Sequence, residues 1–197
     1  MHAVKRRLAK YSRWLHIYVS MTSFVIVFFF AITGWTLNHP DAFARGERRT
    51  QATGTLDPKL TSTGSADVAK IEIVEALRRA HHVGGALSDF RIDDDQLSVA
   101  FKGPGYIADA VIDRRTGKYD LSESRLGLVA ILNDLHKGRD TGRVWKAVID
   151  VSAVLLTFIS LTGLVLLYFI HKHRLAGFLL LLAGGALTGL LYWAWVP

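Results

Sequence analysis

WLHIYVSMTSFVIVFFFAITGWTL, residues 14–37, contains no Asp, Glu, Lys or Arg. An apolar run of that length spans the hydrocarbon core of a bilayer, which takes about 20 helical residues. Trp14 and Trp35 stand near its two ends, where amphipathic rings settle at the membrane–water interface. A secretory leader also starts with a basic flank, but its apolar part covers only about 7–15 residues. An uncleaved transmembrane helix over 14–38 is therefore expected. Two further uncharged runs follow, VSAVLLTFISLTGLVLLYFI at 151–170 and LAGFLLLLAGGALTGLLYWAWVP at 175–197. They predict transmembrane helices over 148–170 and 175–197.

Charge sets the expected orientation. The N-terminal segment 1–13 holds Lys5, Arg6, Arg7, Lys10 and Arg13 and no acid, which places it in the cytoplasm. Three crossings then put residues 39–147 outside, the short link 171–174 inside and the C-terminus outside. Lys172 and Arg174 agree with that link being cytoplasmic. The net charge of +7 reads as this topology signal and as contact with membrane lipid, and no nucleic-acid partner is expected. The chain has no Cys, so disulfides, thiolate metal sites and haem attached through Cys-x-x-Cys-His are excluded. No Ser or Thr stands in a recognisable activated arrangement, and no catalytic residue is assigned.

The outside segment divides in three. Residues 39–64 read as a polar linker rich in Thr, Gly and Ser. Residues 65–124 read as a small α+β domain. SADVAKIEIVEALRRAHHVGG forms its helix, capped by Ser65 or Asp67, with an apolar side of Val68, Ile71, Ile73, Val74, Ala76, Leu77 and Ala80 and a stop at Gly84-Gly85. LSDFRI, QLSVAFK, YIADAVID and KYDLS, split by turn residues, form an antiparallel meander of three or four strands. Such a unit is near the lower size limit for an independent core. Residues 125–147 form an interfacial segment: RLGLVAILNDLHK is a short amphipathic helix, and Gly138 with Asp140-Thr141-Gly142 turns the chain into the second crossing.

The eight histidines carry the chemistry. His81 and His82 end the domain helix, where the macrodipole favours them. His16 and His39 mark the inner and outer ends of the first membrane helix; His136 precedes the second helix outside, and His171 and His173 follow it inside. Ionisable groups at a membrane span are functional candidates. Two neutral imidazoles facing each other between helices hold b-type haem iron without a covalent link. His39 with His136 is the expected outer pair, and His16 with His171 the inner one, with His173 the other inner candidate. Twenty-three positions separate His16 from His39, about 34 Å of helix, so one haem cannot bridge them and one or two haems b are expected. Gly34 and Gly163, in the echoed segments AITGW and SLTGL, offer room for a porphyrin, although small residues also serve close helix packing. Eighteen positions from His16 to Gly34 make five whole turns, placing both on one face. Arg139 and Arg143 offer partners for haem propionates or for phospholipid headgroups. Asp41, Asp134 and Asp140 near the outer pair offer an alternative Zn or Cu(II) site, though nothing fixes a close ligand spacing.

WLHIYVSMTSFVIVFFFAITGWTLNHP, the helix-plus-meander, and LNDLHKGRDTGRVW leading into SLTGLVLLYF resemble the PepSY-associated transmembrane family in its short three-helix form. The likeness covers nearly the whole chain, and its specific parts are the W-L-H start, the L-N-H-P exit and the L-H-K-G-R segment. It implies a membrane α-helical fold with a small α+β PepSY-like domain outside, between helices 1 and 2. His16, His39 and His136 match the family's membrane-edge histidines; His171 and His173 match less securely. Larger relatives include inner-membrane reductases that pass electrons through haem to ferric siderophores in the periplasm. Short relatives are associated with periplasmic flavin-dependent electron transfer. The larger reductases carry an additional helix absent here, which favours an electron relay in a homodimer over a complete ferric reductase.

The function expected is a cytochrome b-like protein of the bacterial inner membrane. It would take electrons from the inner face or from quinol and pass them to a ferric siderophore or flavoprotein, in iron uptake or periplasmic redox. The rival reading is a membrane-anchored PepSY-like binding or regulatory module without a redox cofactor.

Overall fold

A computed structural model describes residues 2–43, 46–62, 66–170 and 172–197. Ser65 and His171 lie outside the described residues, as do the side chains of Asp67 and Val68. The chain divides into two compact units, Met1–Phe28 with Asp150–Pro197, and Phe29–Ile149. Among the described residues three helices are long and apolar enough to cross a membrane. They are α1 (His2–Leu37), α6 (Gly142–Phe169) and α7 (Arg174–Trp195). The chain is a multi-pass membrane protein.

Helix α1 has no glycine or proline before Gly34, and nothing interrupts its hydrogen-bond ladder. It closes in a tightened last turn, Asn38 N–H to Trp35 O at 3.2 Å and His39 N–H to Thr36 O at 3.2 Å. Pro40 then opens the one-turn helix α2 (Pro40–Phe43); proline disfavours helical backbone in the residue before it and suits a first helical position. Large side chains such as Phe24, Val25, Val154 and Leu182 stand exposed on the three long helices, the arrangement expected where lipid is the solvent. Among the described residues the buried side chains of α1 and α6 are all small and polar: Ser12, Ser23, Thr33 and Thr36, then Ser152 and Thr162. Thr33 and Thr162 return their hydroxyls to carbonyls of their own helix, Phe29 O at 2.6 Å and Ile159 O at 2.8 Å. Small residues admit a close neighbour, and the hydroxyl proton is satisfied locally.

The sheet lies in the unit Phe29–Ile149. Its strands are β1 (Arg48–Thr55), β2 (Ala86–Ile92), β3 (Gln96–Gly103), β4 (Tyr106–Asp113) and β5 (Lys118–Arg125), in the order β1-β5-β4-β3-β2. Every pairing is antiparallel. Helices α3 (Pro58–Ser62) and α4 (Ala66–His81) follow β1. Ile73, Val74 and Leu77 of α4 pack on the inward residues of β3, β4 and β5, among them Val99, Phe101, Ala110, Ile112, Tyr119 and Leu121. Burial of this face is the main stabilising term of the domain. Ile71, expected on the apolar side of α4, is instead 69% exposed.

The stretch 39–64, expected to be a linker, holds α2, β1 and α3. Strand β1 pairs with β5 in unbroken register from Arg48↔Arg125 to Thr55↔Lys118, making five strands where three or four were expected. Its sequence, RRTQATGT, has no large apolar residue. It is an edge strand held by main-chain pairing, and edge strands commonly carry polar side chains. Gly54 leaves room for the Tyr119 ring, which a Cβ there would meet. The Tyr119 hydroxyl lies 2.7 Å from His81 Nε2. His81 thus ties the end of α4 to the sheet, and His82, at φ 53°, turns the chain out of the helix.

Candidate site at the membrane-edge histidines

Helix α5 (Leu128–Lys137) places His136, and the domain places α5. The β3–β4 turn reaches it through Gly105, whose φ of +65° suits a residue without Cβ. Gly105 N–H donates to Asp134 Oδ2 at 2.9 Å, Leu126 N–H donates to Gly105 O at 2.8 Å, and Ile131 fills the space a Cβ on Gly105 would need. Gly138, at φ 66°, caps α5 with its N–H on the carbonyls of Asp134 and Leu135, a left-handed C-terminal cap. Trp145 of α6 donates Nε1–H to Leu135 O at 2.8 Å and sets its ring edge on Phe29.

Seated this way, α5 meets the end of α1 on two rungs. Asn133 Oδ1 lies 2.7 Å from Thr36 Oγ1, and His136 Nδ1 lies 2.6 Å from Thr33 Oγ1. The three-residue spacing on both helices matches neighbouring positions of one helical face. The imidazole of His136 rests edge-on against Phe30, centroids 4.9 Å apart, and above Gly34, where an added Cβ would stand 3.7 Å from Cε1. Burial, and secondarily the charge of Lys137, lowers the His136 pKa from its usual value. A shift in that direction favours the neutral imidazole.

His39, past the end of α1, is exposed. Its Nδ1–H donates to Trp35 O at 3.0 Å, and its ring leans on Trp35, centroids 5.4 Å apart. Among the described residues no hydrogen bond or ring contact joins His39 to His136. In the other unit His16 of α1 meets α6: its Nδ1 lies 3.0 Å from Thr162 Oγ1, and its Cε1 would stand 3.3 Å from a Cβ on Gly163. His173 is exposed and precedes α7 at the N-cap position without a side-chain cap bond. His171 lies outside the described residues.

In His16, His39 and His136 alike, the contact engages Nδ1 and leaves Nε2 without a hydrogen-bond partner among the described residues. Metal-bound imidazoles have this form, one nitrogen oriented by a neighbour and the other free to ligate. Gly34 and Gly163, expected to make room for a porphyrin, each receive an imidazole from the facing helix. Arg139 and Arg143 are exposed, and neither forms an ion pair among the described residues. Asp134 is committed to Gly105. No three His, Asp or Glu residues gather closely enough to share an ion among the described residues, so the side chains do not assemble the Zn or Cu(II) alternative.

Thr33, Thr36, Asn133 and Thr162 belong to this arrangement and are not among the residues read from the sequence. Thr-Gly occurs in both AITGW and SLTGL, so the sequence carries a signal for Thr33 and Thr162 beside the two glycines. The model of the PepSY_TM-like family matches residues 10–197. No curated protein and no solved structure matches the chain.

Proposed function

The chain belongs to the PepSY_TM-like family, and from that premise we propose that it is a haem b protein relaying electrons across the bacterial inner membrane. The observation that carries the reading is the common state of His16, His39 and His136, each with Nδ1 engaged and Nε2 unpartnered among the described residues. Haem b held by two such imidazoles supplies a one-electron couple. His39 and His136 are the ligands of the outer site. His16, with His171 or His173, serves the inner one. The lowered pKa of His136 keeps its Nε2 lone pair available near neutral pH. Arg139 and Arg143, exposed on the segment that follows α5 in the chain, supply guanidinium groups for propionates. The short polar face that α5 and α1 share, Asn133 with Thr36 and His136 with Thr33, holds the outer ligand in place.

The basic N-terminus lies in the cytoplasm and the sheet domain in the periplasm, where a ferric siderophore or flavoprotein takes the electron; quinol or a cytoplasmic donor supplies it.

The test is an absorption spectrum of full-length protein purified in detergent after expression with ample haem. A Soret band with bis-histidine character is expected, and His39→Ala and His136→Ala should each remove the same haem. A colourless wild-type protein would overturn the reading and leave the binding-module alternative. Retention of every haem in both variants would overturn the outer pairing.

A further inference from the structure

The same device occurs twice. On α1, Thr33-Gly34 receives His136; on α6, Thr162-Gly163 receives His16. In each case the threonine Oγ1 lies within hydrogen-bond distance of Nδ1, and the following glycine leaves space beside Cε1. In each case the hydroxyl is also bonded to a carbonyl one turn earlier, Phe29 O at 2.6 Å and Ile159 O at 2.8 Å.

A hydroxyl has one proton. A carbonyl oxygen that close to Oγ1 can only accept, so without that proton two oxygen lone pairs would face each other inside an apolar helix. The proton therefore belongs to the carbonyl, and Oγ1 must act as acceptor toward the ring. Nδ1 is then the protonated nitrogen, and the lone pair of the neutral imidazole sits on Nε2. Neutral histidine in water favours the opposite tautomer, with the proton on Nε2, so the threonine reverses the intrinsic preference. The glycine matters because the ring must come within reach of Oγ1, which a large side chain at that position would prevent.

We infer that Thr33 and Thr162 are positioning residues, each locking its histidine as the Nδ1–H tautomer and presenting the Nε2 lone pair for a metal. The inference deepens the proposed ligand role and rests on it. Neither threonine touches the metal. Each acts through the imidazole, the way an outer partner orients a ligating histidine and raises its basicity.

The test uses the haem-free, full-length protein in detergent micelles, with ¹⁵N-labelled histidine. His136→Gln and His16→Gln assign the two resonance pairs. In the wild type, Nδ1 is expected to show the protonated signature and Nε2 the unprotonated one at both residues. Thr33→Val removes the acceptor at nearly constant volume and should move His136 toward the Nε2–H tautomer; Thr33→Ser should restore the wild-type spectrum. Thr162→Val and Thr162→Ser put the same question independently at His16, so a folding failure of one variant leaves the other to decide. A wild-type spectrum with Nε2 protonated, or a tautomer unmoved by the valine substitutions, overturns the inference. Titration with haem is the second arm: Thr33→Val should weaken binding about 10- to 100-fold, with recovery in Thr33→Ser. Nδ1–H spectra in a wild-type protein that takes up no haem would overturn the ligand role together with the haem reading, while the spectra would still register the threonine lock. Normal haem affinity in Thr33→Val with a switched tautomer would overturn the positioning role alone.

Discussion

His136 gives up water when α5 seats it on Thr33, and burial followed by the Lys137 charge lowers its pKa. The unfolded chain, with an ordinary value near 6.5, then binds more protons than the folded chain in mildly acidic solution. Stability from this residue is present above the unfolded pKa and is lost as pH falls through the depressed folded value. The Tm of haem-free wild type should therefore drop more steeply than that of His136→Gln between about pH 7.5 and pH 5.5, measured by thermal unfolding in detergent. Equal slopes would contradict the assignment. The two glycine seats also differ at this scale. A methyl at Gly34 would stand 3.7 Å from His136, an ordinary contact, whereas one at Gly163 would stand 3.3 Å from His16. Gly34→Ala should leave the His136 ring resonances in place, while Gly163→Ala should shift those of His16 and cost roughly 1 kcal/mol from overpacking.

At the scale of elements, the β3–β4 turn controls α5. Asp134→Ala removes the acceptor of the Gly105 N–H, and a part-buried donor left unpaired costs about 1–3 kcal/mol. Gly105→Ala adds a Cβ at φ +65° against Ile131, combining left-handed strain with a clash, and should cost at least as much. Both losses are readable in denaturant unfolding, and under the proposed haem reading both variants should weaken binding at His136 while sparing His16. A variant that destabilises the domain yet leaves the outer site at full affinity would show that α5 keeps its place without the turn. The strands from Ala86 to Arg125 were legible because alternating apolar residues and Gly or Asp turns mark them. Strand β1 was not, because RRTQATGT has no apolar alternation to read. Its strand character comes from β5, whose free edge it pairs along its whole length.

The three long helices are the part of the whole molecule that composition alone makes visible. An uncharged run of about 20 residues has few alternatives to a membrane helix, because no other fold of that segment satisfies its backbone in lipid. The absence of cysteine makes the proposed orientation easy to check. Ser122→Cys on the sheet and Leu8→Cys near the N-terminus are both at exposed positions. In intact spheroplasts a membrane-impermeant maleimide should label the first and not the second; the reverse pattern would place the domain in the cytoplasm. His16, His39 and His136 were likewise visible as candidates, since an ionisable residue stands out in or beside an apolar run. Their partners were not. Thr33 and His136 are 103 residues apart and His16 and Thr162 are 146 apart, and nothing local to a threonine announces which imidazole it will meet. Hydropathy is a property of a segment and can be read from the segment. Which hydroxyl faces which ring, and hence which nitrogen is left free, depends on two helices being brought together, and only the tertiary structure decides that.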